Sequence, residues 1–308
     1  MYKILLLCTS IFIISVMCFL WNIDCSKSTT IRQFNFNNQA KTNSLASTKR
    51  IPDKLVVLTF DDAVASHYTF VRPILKQYGF SATFFITEGF NFKTDKVNYL
   101  TWNQVADLNK DGFEIGNHTR DHVIINEQSL GQLLFQLTSI NDSCEYYGIP
   151  RPVSFAYPGN FIHARALPIL KTAGFSWARR GNIPELSGGE DGRGFAYEPY
   201  ADDPLLIPSS GIALPAWSLE DFKNAVACAK NGKIAVLQFH GVPDTEHPWV
   251  NTTKEQFRSY MDYLRNGKYQ VIALRDIARY INPNIRPKDP WDIIIKRKNE
   301  LTPNTKIF

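Results

Sequence analysis

Cysteine is scarce in the body of this chain. Of five in all, Cys8, Cys18 and Cys25 fall within the first 25 residues, leaving Cys144 and Cys228 further on. At most one disulfide is open to the folded part, and two buried thiols fit as well, since both residues fall on apolar helical faces. A concentrated positive surface is lacking too. The formal charge is +5, with no dense basic stripe interleaved with aromatics, which argues against a nucleic-acid partner. Charge is absent altogether from residues 4–20, and the first acidic residue is Asp24. With Lys3 ahead of it, residues 1–25 read as a signal peptide or signal-anchor, borderline in length for spanning a bilayer. Small residues are poorly placed for cleavage, and Cys18 after Ser15, Val16 and Met17 only roughly resembles a lipidation site. Cleavage and anchoring both stay open, and a secreted or cell-envelope location is expected, with membrane attachment only through this segment. Residues 26–50 are rich in Ser, Thr, Asn and Gln and poor in apolar side chains, so they cannot offset their ordering entropy and read as a disordered linker.

What is present is apolar material: 44% of the 308 residues are hydrophobic and 13% aromatic, enough for one large core. From residue 51, short apolar runs alternate with amphipathic segments. Strands are expected at 54–60, 82–87, 113–117, 153–157, 175–178, 234–239 and 270–274. Helices are expected at 67–78, 102–110, 128–147, 164–173, 218–231 and 254–266. The longest carries Leu130, Leu133, Leu134, Leu137, Ile140 and Cys144 at helical spacing. This alternation implies a parallel sheet with helices outside, and the number of units in residues 51–282 fits a closed or incomplete (β/α) barrel. Residues 181–214, rich in Gly, Pro and Asp, read as a long irregular excursion. Residues 283–308 read as a polar C-terminal tail, with one short helix at 291–298.

The chemistry-bearing residues cluster where strands end, the face on which parallel α/β folds place their sites. Asp61 and Asp62 close the first strand, and His118 and His122 follow the third, four residues apart. If His118 begins a helical turn, the two imidazoles share a face and are spaced to grip one metal ion. His240 follows a late strand. Singly, an Asp-Asp pair reads as a cap, a His pair as a solvated helix face, and a lone His as a core residue. Jointly, at one rim, they read as a site.

Thr59-Phe60-Asp61-Asp62, His118-Thr119-Arg120-Asp121-His122, Phe155-Ala156-Tyr157-Pro158-Gly159 and Leu237-Gln238-Phe239-His240 occur in that order. Together they resemble the motifs of the polysaccharide deacetylases, a family that includes chitin, chitooligosaccharide and peptidoglycan deacetylases. The resemblance runs from about Leu55 to Ile281. It implies a single catalytic domain with an incomplete or distorted (β/α) barrel, and a hydrolase acting on C–N bonds of N-acetylated, or on O-acetylated, sugars of a polysaccharide. It further implies that Asp62, His118 and His122 hold one divalent metal ion, zinc first, with cobalt, nickel or manganese as alternatives. Asp61 would be the general base, His240 the general acid and the Gly159 N–H an oxyanion donor. Leu237, Tyr157 and Pro158 would line the substrate pocket. Trp217 is a further candidate, chosen only by its place in the sequence.

The chain departs from the family pattern in three places, the first being Gly159, which stands where a tyrosine often follows the proline of the third motif and keeps only a backbone donor. The arginine that opens the third motif in many members is missing, since Ser154 and Phe155 stand there and Arg151 comes too early. The fourth motif has no counterpart; in its place the fifth strand ends Trp177-Ala178-Arg179-Arg180-Gly181. Arg179 or Arg180 is therefore expected to supply the cation beside Asp61, against the plainer reading of a solvated basic turn. His163 and His247 read as loop histidines outside the site, although His247, following His240, could reach its rim. Phe90, Phe92, Tyr99 and Trp102 read either as a sugar-stacking platform or as loop packing. Two other functions stay in view: hydrolysis of a non-peptide C–N bond in a smaller molecule, and a carbohydrate-binding barrel with a degenerate site. A two-carboxylate glycosidase does not fit, because adjacent aspartates on one strand do not flank a glycosidic bond at the roughly 5–9 Å such enzymes need.

Overall fold

The computed structural model describes residues 49–186 and 191–301. The expected leader, its three cysteines and nearly all of the expected linker lie outside the described residues. Eight parallel strands form the sheet: β1 (Leu55–Phe60), β2 (Thr83–Ile86), β3 (Glu114–Asn117), β4 (Ser154–Ala156), β5 (Trp177–Arg179), β6 (Gly211–Ile212), β7 (Ala235–Phe239) and β8 (Gln270–Ile272). The path runs β5-β4-β3-β2-β1-β7-β6, with β8 paired to the first half of β1. Helices α1 (Arg72–Tyr78), α2 (Trp102–Lys110), α3 (Leu130–Tyr146), α4 (Ala166–Thr172), α5 (Leu219–Ala227), α6 (Lys254–Asn266) and α7 (Asp292–Leu301) lie between and after the strands. Three of them start in reciprocal capping boxes, Thr101 with Gln104, Ser218 with Asp221 and Thr253 with Gln256.

Strand parity decides what faces where. In β1, Leu55 and Val57 pack inward with Phe85, Ala156, Trp177 and Val236. Val56, Leu58 and Phe60 pack outward beneath the helices with Leu75, Phe257 and Leu264. The same alternation sends Val236 inward and Leu237 outward, and Ala156 inward and Phe155 and Tyr157 outward. All six residues of β1 are buried, as a central strand covered on both faces requires.

The expected distorted (β/α) barrel is the observed architecture. Its seam is the one strand absent from the sequence reading. Within the irregular excursion, Ile207 bridges Arg179 on β5, while Gly211 and Ile212 pair with Leu237 and Gln238 on β7. With two residues and no apolar alternation, β6 carries no periodic signal.

Other expectations are corrected locally. The helix expected from residue 67 begins as a π-helical turn, His67–Val71, before α1. Leu134 is half exposed, off the buried stripe of α3. Cys144 is buried and Cys228 partly so, and both are free thiols. In the stretch read as a polar tail, Arg286 grips Asp203 at 2.7 Å, and Arg297 of α7 reaches Asp202 at 2.7 Å in a buried pair. Ile294 joins the core around Leu133 and Leu167.

Below the C-terminal rim the barrel interior holds a polar knot. The buried Glu114 carboxylate accepts from Thr83 Oγ1 at 2.7 Å, Ser154 Oγ at 2.6 Å and the Arg275 N–H at 2.8 Å, joining β2, β3, β4 and the turn after β8. Burial pushes its pKa above the usual glutamate value. Glu114→Ala orphans three donors and should lower unfolding free energy by about 3 kcal/mol in urea denaturation. Glu114→Gln, which retains an acceptor and no charge, should lose less than half of that.

Candidate metal centre

The inward parity of β1 carries on to Asp61, which enters the top of the barrel. One terminal nitrogen of Arg179 donates to both Asp61 oxygens, at 2.6 and 2.5 Å, and Gln238 Nε2 donates to Oδ2 at 3.1 Å. Arg179 and Gln238 stand at the inward positions of β5 and β7. Parity alone would turn Asp62 away. Its backbone instead takes the left-handed conformation, φ 73°, which brings both carboxylates to one rim.

His118 continues the inward parity of β3. Its Nδ1 donates to the Ala156 carbonyl at 2.8 Å, which leaves Nε2 with its lone pair facing the cleft. His122 arrives differently from expectation. Residues 118–122 form no helical turn; Thr119 and His122 both have positive φ, 60° and 52°. The loop is held by Asn117 Oδ1, which accepts from the Thr119 N–H, and by the Gln136 side chain, which bonds Asp121 twice. Gly89 allows its close approach, since a Cβ there would stand 2.9 Å from the Asp121 carbonyl carbon.

The result is a three-donor cluster of Asp62, His118 and His122 whose ligand atoms all lie within 4.8 Å of one another. Asp62 Oδ1 is 3.4 Å from each Nε2 and, though buried, makes no hydrogen bond. Donors about 2.0–2.2 Å from a tetrahedral ion stand roughly 3.3–3.5 Å apart, so the set fits a divalent metal with a position left for water. Electrostatics agree. Burial opposes ionisation of Asp62, but His118 and the surrounding imidazoles outweigh it and hold the carboxyl well below its usual range. Burial, reinforced by His118, pushes His122 down to about 4, a neutral imidazole near pH 7. For His118, burial is outweighed by Asp61 and Asp62, so its pKa lies above the ordinary value of 6.5.

His240 Nε2 lies 4.0 Å from Asp61 Oδ2 and 3.9 Å from Asp62 Oδ2. Its turn is hooked at two points: His67 Nε2 bonds the His240 carbonyl at 3.1 Å, and Ser66 Oγ accepts from the Val242 N–H at 2.8 Å. His67 is fully buried, and burial lowers its pKa to about 4, keeping it neutral. No sequence signal distinguished His67 from any helix-start histidine.

These residues floor a cleft of about 500 Å³, with Gly159, Asn160 and Gln238 beside them and Ile212, Leu214 and Trp249 on its walls. Several expected pocket residues stand elsewhere. Leu237 and Tyr157 have outward parity, and the Tyr157 hydroxyl donates to the Leu205 carbonyl within the core. Pro158 is buried outside the cleft lining, and Trp217 is packed in the core with its indole N–H on the Asp191 carbonyl. Arg180 does not reach Asp61: one residue past Arg179, it takes the opposite parity and forms a buried pair with Glu185 at 2.6 Å. Neither arginine belongs to a solvated turn, since both are 0% exposed. His163 pairs with Glu127 at 3.3 Å in the open, whereas His247 does reach the rim and lines the cleft beside Asp244. Of the aromatics after β2, Phe90 lines the cleft, Phe92 and Tyr99 are buried, and Trp102 faces a separate hollow.

The parallel barrel thus brings a three-donor Asp-His-His cluster that could hold a metal ion, and a second carboxylate, to its C-terminal rim. Residues 48–178 match the family model described as polysaccharide deacetylase. The peptidoglycan-N-acetylglucosamine deacetylase of Bacillus cereus is 32% identical over 124 residues, covering 40% of this chain and 54% of the relative. This chain thus spans about half the length of that relative. Among solved structures, the chitin deacetylase from Colletotrichum lindemuthianum superposes with a TM-score of 0.52 at 18% identity, covering 74% of this chain and 88% of that one. The Xyl-CE4 domain of a multidomain xylanase from the hindgut metagenome of Trinervitermes trinervoides gives 0.50 at 18%, covering 76% and 95%. At these identities the likeness is one of fold.

Metal binding should compete with protons. Because the His118 pKa lies above 6.5, affinity for a divalent ion should fall as pH drops through that titration, beginning above pH 6.5. Isothermal titration between pH 8 and 5.5 should show one site weakening toward acid, and Asp62→Ala or His118→Ala should abolish it. Constant affinity across that range would contradict the ligand set.

Proposed function

We propose that the protein is a metal-dependent deacetylase that removes acetyl groups from N-acetylated, or O-acetylated, sugars of a cell-envelope polysaccharide. The observation that carries this reading is Asp61, clamped by Arg179 immediately beside the Asp62–His118–His122 cluster. Those three residues would hold one divalent ion, zinc first, with cobalt, nickel or manganese as alternatives. Such an ion supplies Lewis acidity, polarising an acyl oxygen and making a water acidic enough to deprotonate near neutral pH.

The chain's own residues do the rest. Asp61 is held and oriented by Arg179 and Gln238 and takes the proton of the attacking water. Gly159, at the cleft floor with φ 60°, offers its N–H to the oxygen that gains charge. His240 gives a proton to the sugar amine as the C–N bond breaks, releasing acetate. Arg179 fills from β5 the role left open by the missing third-motif arginine, and its other terminal nitrogen is steadied by Asn160 Oδ1 at 3.2 Å. The N-terminal apolar segment, read as a leader or anchor, supports a secreted or envelope location. Among the described residues no helix is long and apolar enough to cross a membrane.

The test is acetate release from N-acetylglucosamine oligomers and peptidoglycan, with and without chelator. The metal-loaded protein should turn over; chelator should abolish turnover; Asp61→Asn should lower kcat by about a thousandfold. Acetate from neither glycan, with hydrolysis of small acetamides intact, would move the activity to smaller C–N substrates. Arg179→Met removes the donor that fixes both Asp61 oxygens and should lower kcat about a hundredfold with little change in KM. His67→Phe should lower kcat about tenfold with little change in KM, and His67→Gln, which retains a donor for the His240 carbonyl, should recover most of it.

A further inference from the structure

A file of rings runs from the metal cluster to the outer edge of the cleft. Between ring centroids, His122 lies 4.7 Å from Phe90, Phe90 4.7 Å from His247, and His247 5.4 Å from Trp249. All four residues line the cleft itself. The file opens to solvent as it leaves the metal ligands: Phe90 is 46% exposed and Trp249 67%. No ring lies flat on Trp249. Its one ring neighbour among the described residues is His247, inclined at 71° to it.

The segment that carries Trp249, between β7 and α6, is pinned along its length. The buried Asp244 carboxylate accepts from the Gly241 N–H at 3.2 Å and the His247 N–H at 2.8 Å, and the Asp244 N–H donates to Asn251 Oδ1 at 2.7 Å. Asn98, between β2 and α2, donates to Glu246 Oε1 at 3.0 Å and accepts from Thr245 Oγ1 at 3.2 Å. The Val250 N–H closes a turn on the His247 carbonyl at 3.0 Å. His247 Nδ1 stands 3.4 Å from Asp244 Oδ1, and Nε2, across the ring, makes no hydrogen bond among the described residues.

A lone apolar side chain in solvent is ordinary on a protein surface. Packing does not account for an indole held out by a pinned loop, at the end of a file of rings that begins at a metal ligand. An open aromatic face with a fixed polar group beside it is what a pyranose meets in a binding site: its C–H face lies on the ring while its hydroxyl groups find the polar neighbour. Fixing the ring before the sugar arrives lowers the ordering cost of binding.

We propose that Trp249 is a substrate-binding residue that stacks on a sugar neighbouring the one at the metal centre, so that the cleft takes adjoining units of a glycan in preference to a single N-acetylated sugar. That the ligand is a glycan rests on the deacetylase reading; the open ring at the end of the cleft does not. With Phe90 and His247 standing between His122 and Trp249, a monosaccharide at the metal centre leaves the indole uncovered, whereas an oligomer covers both.

The experiment reads affinity against chain length. The full-length, metal-loaded Asp61→Asn protein is titrated with N-acetylglucosamine and with its tetramer, which gives a tetramer-to-monosaccharide affinity ratio. Trp249→Ala is expected to lower that ratio about tenfold, and Trp249→Phe, which keeps a flat ring, by less than about threefold. The tetramer should also shift tryptophan emission to shorter wavelength as a sugar covers the exposed indole, and Trp249→Phe should remove that shift. A tetramer bound no tighter than the monosaccharide, an unchanged ratio in Trp249→Ala, an equal loss on both ligands, or a Trp249→Phe protein as weak as Trp249→Ala overturns the stacking site. Acetate release from glycans together with any of those results keeps the deacetylase reading and removes the site alone. The lowered ratio, with no acetate released from any glycan by the protein with Asp61 intact, sustains the site and removes the deacetylase reading instead.

Discussion

A guanidinium and a carboxylate, both withdrawn from solvent, set the floor on which the rest of the site stands. Arg179 and Asp61 are 0% and 1% exposed, and the ion pair joins β5 to β1 across the barrel interior. Burying either charge alone would carry a desolvation penalty of several kcal/mol. Each therefore holds the other at a defined height, and Gln238 adds a third strand to the grip. The Asp61 carboxylate cannot swing into the space where Asp62, His118 and His122 converge.

That convergence depends on backbone conformations that strand geometry does not supply. Alternation delivers Asp61, His118, Arg179 and Gln238 to the interior from four different strands. Asp62 and His122 join them only through left-handed residues, which L-amino acids adopt at some strain. Strained backbone persists where surrounding bonds over-determine it. Here the Asn117–Thr119 and Gln136–Asp121 bonds and the contact with Gly89 provide that support. The rim is thus braced by hydrogen bonds where the Asp-His-His cluster lies, with the Glu114 knot joining the strands below.

Much of this was readable in advance. Periodicity located seven of the eight strands and the helices between them, because long apolar faces leave a regular trace. The ordered motifs marked Asp61, Asp62, His118, His122 and His240 as one rim. Leu237 and Tyr157 belong to the ordered motifs, yet their strand parity turns them outward, away from the cleft. Arg180 was indistinguishable from Arg179 until strand parity separated them. The excursion of residues 181–214 hid β6, since a two-residue strand in a Gly- and Pro-rich segment has no period. His67 looked like any other histidine, because its importance comes from a contact more than 100 residues away, and the place of His247 is settled by a rim that several loops form together.

The order of apolar and polar residues was enough to determine a parallel α/β barrel, and the types and spacing of a few side chains were enough to mark a metal-binding rim. Both are local properties, written in periods of two and 3.6 residues and in short motifs. Only the tertiary structure decided which arginine meets Asp61, which residues wall the cleft, Trp249 among them, and how the seam closes. Each of those depends on long-range register and on backbone turns of positive φ, and neither quantity leaves a trace in the order of residues along the chain.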